Sequence, residues 1–125
     1  MTEALTDLGT SFARALATKD PVAVRAVMAT DLDFRAMTPR RFWEANDHQE
    51  LLEVLFDHWL DPEDEVLALL WTTTGEVSTR RHVAYRLHLR TPAGEALMEQ
   101  QMYYETSGGR IHWARLMCSG AVPLR

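Results

Sequence analysis

The chain has 125 residues, enough for one domain (1–125) with a real core and too few for two. Hydrophobic residues make up 46% and charged residues 25%, an ordinary balance for a globular protein, and the net charge of −5 comes without any basic stripe. That excludes nucleic acid or an anionic membrane as an expected partner, and no apolar run approaches the ~20 residues of a membrane span.

The opening residues, Met1 to Asp7, carry acid where a signal peptide carries positive charge, so a cytoplasmic location is expected. Leu5, Leu8, Phe12, Ala15 and Leu16 recur at helical spacing and predict a first helix over about 3–18. Asp20-Pro21 restarts the chain as a short second helix ending near Met28, with Asp as cap and Pro where no donor is needed. Leu32, Phe34 and Ala36 alternate with polar neighbours as a half-buried strand, and Arg41 to Glu44 can pair back on it. Asp47 with Glu50 reads as a capping box opening a third amphipathic helix, which Asp61-Pro62 ends.

The rest reads as strands: Glu65 to Thr73 with a turn near Gly75, His82 to Thr91, Leu97 to Thr106, and Arg110 to Cys118. Gly108-Gly109 is a strong hairpin signal. The expected fold is α+β, with three N-terminal helices packed on a curved antiparallel sheet that forms a cone around an internal pocket. The tail from Gly120 is expected to be loose or packed on a neighbour.

Strict alternation divides the late strands into two faces. Arg86, His88, Glu99, Gln101, Tyr103, Glu105 and His112 fall on one, with Arg86 expected opposite Gln101 and His88 opposite Glu99. Tyr85, Leu87, Leu89, Met98, Met102, Tyr104, Ile111, Trp113 and Met117 fall on the other.

Phe12 to Asp20, Val27 to Arg35 and the Gly108-Gly109-Arg110-Ile111 opening of the last strand resemble the nuclear transport factor 2-like superfamily. That superfamily includes the SnoaL-like polyketide cyclases and the ketosteroid isomerases. The resemblance covers nearly the whole chain and specifies fold better than function. Residue by residue, it places the isomerases' catalytic carboxylate at Ala36, their helix tyrosine at Phe12 and their protonated aspartate at Gln101. The cyclases' histidine and aspartate fall at about Ala114 and Leu116. The epoxide hydrolases' Asp-Arg-Asp network finds only a loose echo in Arg86, His88 and Glu99. The best-known reactions of the superfamily thus lack their residues here.

By the parity of relatives, the face of Gln101 lines the pocket, with His112, Ala114, Leu116 and Cys118 inward on the last strand. The resemblance then implies a pocket holding an apolar small-molecule ligand against Phe12, Phe34, Trp43, Gln101, Tyr103, His112, Leu116 and Cys118. Catalysis, if present, falls to His88 or Glu99 as base, with Arg86, Gln101 and Tyr103 holding developing negative charge, in a cofactor-independent isomerase, cyclase, dehydratase or hydrolase. The structural alternatives are a solvated cross-strand ion pair for His88, Arg86 and Glu99 and a buried hydrophobe for Cys118. His48 and His58 read as surface residues. A lone cysteine allows no internal disulfide and no metal-ligand spacing appears, so no metal is expected; the acid-base reading calls for no cofactor. The apolar face is expected on the convex side, pairing two copies as a homodimer. The rival reading is a non-catalytic dimeric interaction or accessory module.

Overall fold

The computed structural model describes residues 7–124. Leu5 and the start of the expected first helix lie outside them. Helix α1 spans Leu8–Ala17, and Asp7 caps it by accepting a hydrogen bond from the Thr10 amide at 3.0 Å. Helix α2, Pro21–Val27, is capped by the Asp20 carboxylate, which accepts from the Val22 and Ala23 amides. Helix α3, His48–Glu53, opens with Asp47 accepting from the Glu50 amide, while the Glu50 carboxylate accepts from the Asn46 amide. All three starts are legible from cap chemistry alone. The turn after α3 is not: the chain widens into a π-helix over Val54–Trp59. Such turns are rare and tend to mark functional sites.

The strands are β1 Met28–Thr38, β2 Arg41–Ala45, β3 Glu65–Val77, β4 Arg80–Thr91, β5 Gly94–Ser107, β6 Arg110–Cys118 and β7 Val122–Pro123. They form one sheet in the order β2-β1-β6-β5-β4-β3, with β7 on β5. All pairs are antiparallel except β1 with β6, which is parallel. The helices cover one face, α1 lying against β3 and β4, and α3 against β1 and β2. The result is the expected α+β cone.

Several expectations of detail are corrected. The β3–β4 turn lies at Ser78-Thr79, and Gly75 sits inside the ladder opposite His82. The β4–β5 turn is Pro92-Ala93, closed by Thr91 opposite Gly94, which puts Arg86 opposite Glu99 and His88 opposite Leu97. The Gly108-Gly109 turn is tight, as expected, and both glycines have positive φ (62° and 78°). Just beyond it a bulge at His112 shifts the register, so Glu105 meets Trp113 and Tyr103 meets Arg115. The tail is not loose: β7 pairs with Ala96 and Leu97.

The largest correction concerns which face points inward. Tyr85, Leu87, Leu89, Met98, Met102 and Tyr104, expected on the convex side, are buried beneath the helices with Phe12, Leu16 and Phe34. The polar set faces outward. A sheet with helices on one face must bury its apolar side there, because that side removes the most area from water.

Candidate functional site

Cross-strand register arranges the inner face in rows. Cys118 on β6, Gln100 on β5 and Tyr85 on β4 form one row. Ala36, Leu116, Met102 and Val83 form the next, and Phe34, Ala114 and Tyr104 the one beyond. Rows are two residues apart along each strand, about 7 Å.

Gln100 is the chemically distinctive member. It is 1% exposed, and among the described residues no other non-aromatic polar side chain is buried as it is. Its carbonyl oxygen accepts a hydrogen bond from the Tyr85 hydroxyl. Its amide nitrogen faces the Met98 thioether at 3.7 Å, with the Cys118 sulfur also within hydrogen-bonding reach of the side chain. Sulfur is a weak acceptor, so this buried donor is poorly satisfied. Burial pushes the Tyr85 phenol well above its ordinary value, and nearby Cys118 adds to the effect. Burial likewise raises the Cys118 thiol, which is therefore a neutral thiol and not a nucleophile at neutral pH. Phe12 packs edge-on against Tyr85, with ring centroids 6.5 Å apart.

A second polar group closes the cone near the start of α1. The Tyr104 hydroxyl accepts from the Gly9 amide at 3.0 Å and donates toward the Asp7 carboxylate at 3.3 Å. Burial pushes Tyr104 up to about 12. Gly9 is required here for space: a Cβ at that position would lie 2.7 Å from the Val83 Cβ and 2.9 Å from the Tyr104 hydroxyl.

A third feature is an aromatic corner between β1, β2 and the π-helix. Trp59 lies 6.1 Å from Phe34 and 6.1 Å from Trp43, centroid to centroid. Trp43 is only partly buried; its indole donates to the Thr38 hydroxyl at 2.8 Å, and the Arg41 guanidinium lies over its ring. Trp59 is 8% exposed, and its indole N–H is buried with no hydrogen-bond partner among the described residues. An unpaired buried donor costs about 1–3 kcal/mol.

The expected site residues divide between the two faces. Phe12, Phe34, Leu116 and Cys118 are buried on the inner side, and Trp43 shares the corner with Phe34 and Trp59. Arg86, His88, Glu99, Gln101 and Tyr103 are corrected to the outer face, and His112 sits in the β6 bulge, partly exposed. Arg86 does contact Glu99, at 2.8 Å, but with side chains 39% and 36% exposed the pair is a solvated cross-strand bridge. His88 pairs with Glu95 at 2.8 Å rather than with Glu99. Gln101 is bonded by His82, whose ring also stacks near Tyr103.

On the outer face Glu99, Gln101 and Tyr103 border an open cleft of about 540 Å³ with Met37, Arg115 and Met117, and the expected site residues Leu116 and Cys118 also line it. A second cleft of about 420 Å³ adjoins it through the shared Tyr103 and Arg115. The guanidinium groups of Arg80 and Arg115 there both lie over the Trp113 ring, at 4.3 and 4.5 Å.

The buried polar groups that sequence reasoning did not place at a site are Gln100, Tyr85 and the Trp59 indole. Sequence places Gln100 and Gln101 side by side, and only the bias of the flanking Met98, Met102 and Tyr104 toward the core signals which one turns inward. Among the described residues, no group of three or more His, Cys, Asp or Glu is placed to hold a metal ion, and no helix is long and apolar enough to cross a membrane.

This architecture matches solved structures over most of its length. The chain has the nuclear transport factor 2-like fold. A candidate isomerase from Rhodopseudomonas palustris superposes with a TM-score of 0.73 at 14% identity, covering 96% of this chain and 93% of that one. A candidate polyketide cyclase from Pseudomonas putida gives 0.68 at 11% identity, covering 89% and 88%. An LEH-like epoxide hydrolase from M. tuberculosis gives 0.65 at 15% identity, covering 90% and 80%. No protein-family profile matches the sequence, and no curated protein matches it either.

Proposed function

We propose that the protein binds an apolar, oxygen-bearing small molecule inside the cone, with Gln100 donating to the ligand's oxygen. The observation that carries this reading is the buried Gln100 amide, whose N–H groups face sulfur. A carbonyl, ether or hydroxyl oxygen is a far better acceptor than a thioether, so ligand binding would replace a weak hydrogen bond with a strong one. Apolar walls with a few convergent polar groups are what such pockets require. Met98 and Met102, unbranched and adjustable, are the neighbours best able to give way to a ligand. Structures of the same fold include a candidate isomerase, a candidate cyclase and an epoxide hydrolase, which accords with a pocket that handles oxygenated molecules.

Turnover of the isomerase, cyclase, dehydratase or hydrolase kind needs a base as well as a donor. Tyr85, raised well above 10, is not a base at neutral pH, and His88 and Glu99 are on the opposite face. The reading is therefore binding with polarisation of the ligand oxygen rather than proton transfer.

The test uses 2-acetylnaphthalene as probe. The double variant Tyr85→Phe/Gln100→Met removes both hydrogen-bonding partners while keeping shape, a change expected to be nearly neutral for stability. Its affinity for the ketone should fall about tenfold, equivalent to about 1.4 kcal/mol. Unchanged affinity in a variant with an unchanged melting temperature would refute the assignment.

A second reading concerns the outer face. Tyr103, Met37 and Met117 are exposed there, Met117 at 58%, beside cross-strand ion pairs that leave the surface locally neutral. That composition suits pairing of two copies through the convex face, or an interaction module acting by the same surface. Sedimentation of the parent and of Met117→Asp tests it: a dimer converted to monomer supports this reading, and a parent that is monomeric at micromolar concentration ends it.

A further inference from the structure

We infer that the Trp59 indole N–H is a second ligand contact, so that the molecule bound in the cone is elongated and carries a hydrogen-bond acceptor toward each end. This rests on the cone-binding reading above. Three observations support the contact. Trp59 is 8% exposed, and its indole nitrogen is buried without a partner among the described residues. Buried polar groups in folded proteins are almost always paired, and the exceptions gather where a ligand or ordered water completes them. The residue closes the π-helix Val54–Trp59, an irregular turn that re-aims the side chain from where an α-helix would put it.

The neighbours define the ligand's chemistry. Phe34 and Trp43 flank Trp59, so this end accepts a flat apolar group. Trp43 cannot supply a competing donor, because its own N–H is committed to Thr38. The Arg41 guanidinium lies over the Trp43 ring, which is only partly buried, and the His58 ring packs against the same indole at 5.1 Å. The Trp59 indole itself is a neutral donor and suits a carbonyl, ether or hydroxyl oxygen.

Register gives the separation. Phe34 and Trp43 belong to the Phe34-Ala114-Tyr104 row and the Ala36-Leu116-Met102 row. Gln100 stands in the row with Cys118, two strands across. Phe34 is two rows and two strands from Gln100, and Trp43 one row and three strands, so the neighbours of Trp59 stand roughly 16 Å from Gln100 along the sheet. A fused two-ring molecule with an oxygen function at each end, and a hydrogen bond beyond each oxygen, spans that length.

The experiment compares 2,6-diacetylnaphthalene, 2-acetylnaphthalene and 2-isopropylnaphthalene by calorimetry on the parent and on Trp59→Phe. In the parent the diketone should bind roughly threefold to tenfold more tightly than the monoketone, the gain of one added hydrogen bond. Trp59→Phe should erase that gain and leave the hydrocarbon's affinity unchanged. In the isotopically labelled parent, the Trp59 indole proton should move downfield with the diketone and not with the hydrocarbon. This readout keeps the test valid even where the variant fails to fold. Equal binding of both ketones, or an indole signal that the diketone leaves unmoved, overturns the second contact while the pocket at Gln100 stands. Failure of all three probes to bind overturns the cone reading and this inference with it.

Discussion

The two faces of one sheet differ in kind. On the inner face the polar groups are neutral, few and buried: Tyr85, Gln100, Tyr104 and the Trp59 indole. On the outer face they are charged, numerous and paired across strands: Arg86 with Glu99, Arg80 with Glu105, Arg90 with Glu65, and Arg115 with Asp33. Desolvation explains the division. A buried charge costs several kcal/mol unless fully compensated, whereas a buried neutral donor costs only about 1–3. Charged residues therefore collect where water can reach them. Under the proposed reading, this division favours holding and polarising a ligand over exchanging protons with one.

Mutations on each face should reveal the same contrast. The largest effect is expected from Phe34→Ala, which opens a fully buried aromatic site under Trp59. A loss of about 3–5 kcal/mol in chemical denaturation is expected. A loss below about 1 kcal/mol would mean that the corner is looser than its burial implies.

Gly9→Ala should come next, at about 1–3 kcal/mol, because the new methyl meets Val83 and the Tyr104 hydroxyl. A melting temperature equal to the parent's would show that α1 can lift from the sheet without penalty.

Tyr104→Phe should cost a similar amount, about 1–3 kcal/mol, by leaving the buried Gly9 amide unpaired. This variant also carries a pH signature. Tyr104 is raised from 10.0 to about 12, so the folded state holds its proton more tightly than the unfolded chain does. The stabilisation is complete below pH 10 and drains away as pH rises toward about 12. Melting curves from pH 9 upward should fall less steeply for Tyr104→Phe than for the parent; parallel curves would contradict the assignment.

The smallest effect is expected on the outer face. Glu99→Gln breaks the Arg86 bridge, both side chains of which are more than a third exposed. The change should cost no more than about 1 kcal/mol and leave the affinity of a cone ligand intact. A tenfold loss of 2-acetylnaphthalene binding would return Glu99 to the site and break the division between faces.

Local chemistry was enough for much of the fold. Asp7, Asp20 and Asp47 with Glu50 start helices because their side chains satisfy the first amides, whatever surrounds them. Gly108-Gly109 makes its hairpin because both positions need positive φ. The alternation of β4 and β5 likewise sorted residues into two sets, and the resemblance carried by Phe12 to Arg35 pointed to the correct fold. Which set faces the helices is a different kind of fact. Alternation has a period of two and is blind to exchange of faces; only the packing of α1 on β3 and β4 breaks that symmetry. The bulge at His112 then changes the parity of β6 relative to β5, so Ile111, Ala114, Leu116 and Cys118 are all buried although 111 and 114 are not an even number of residues apart. The orphan N–H of Trp59 depends on a π-helix and on two aromatic neighbours from other strands. No local rule encodes it, because a missing partner is a property of the surrounding fold and not of the residue.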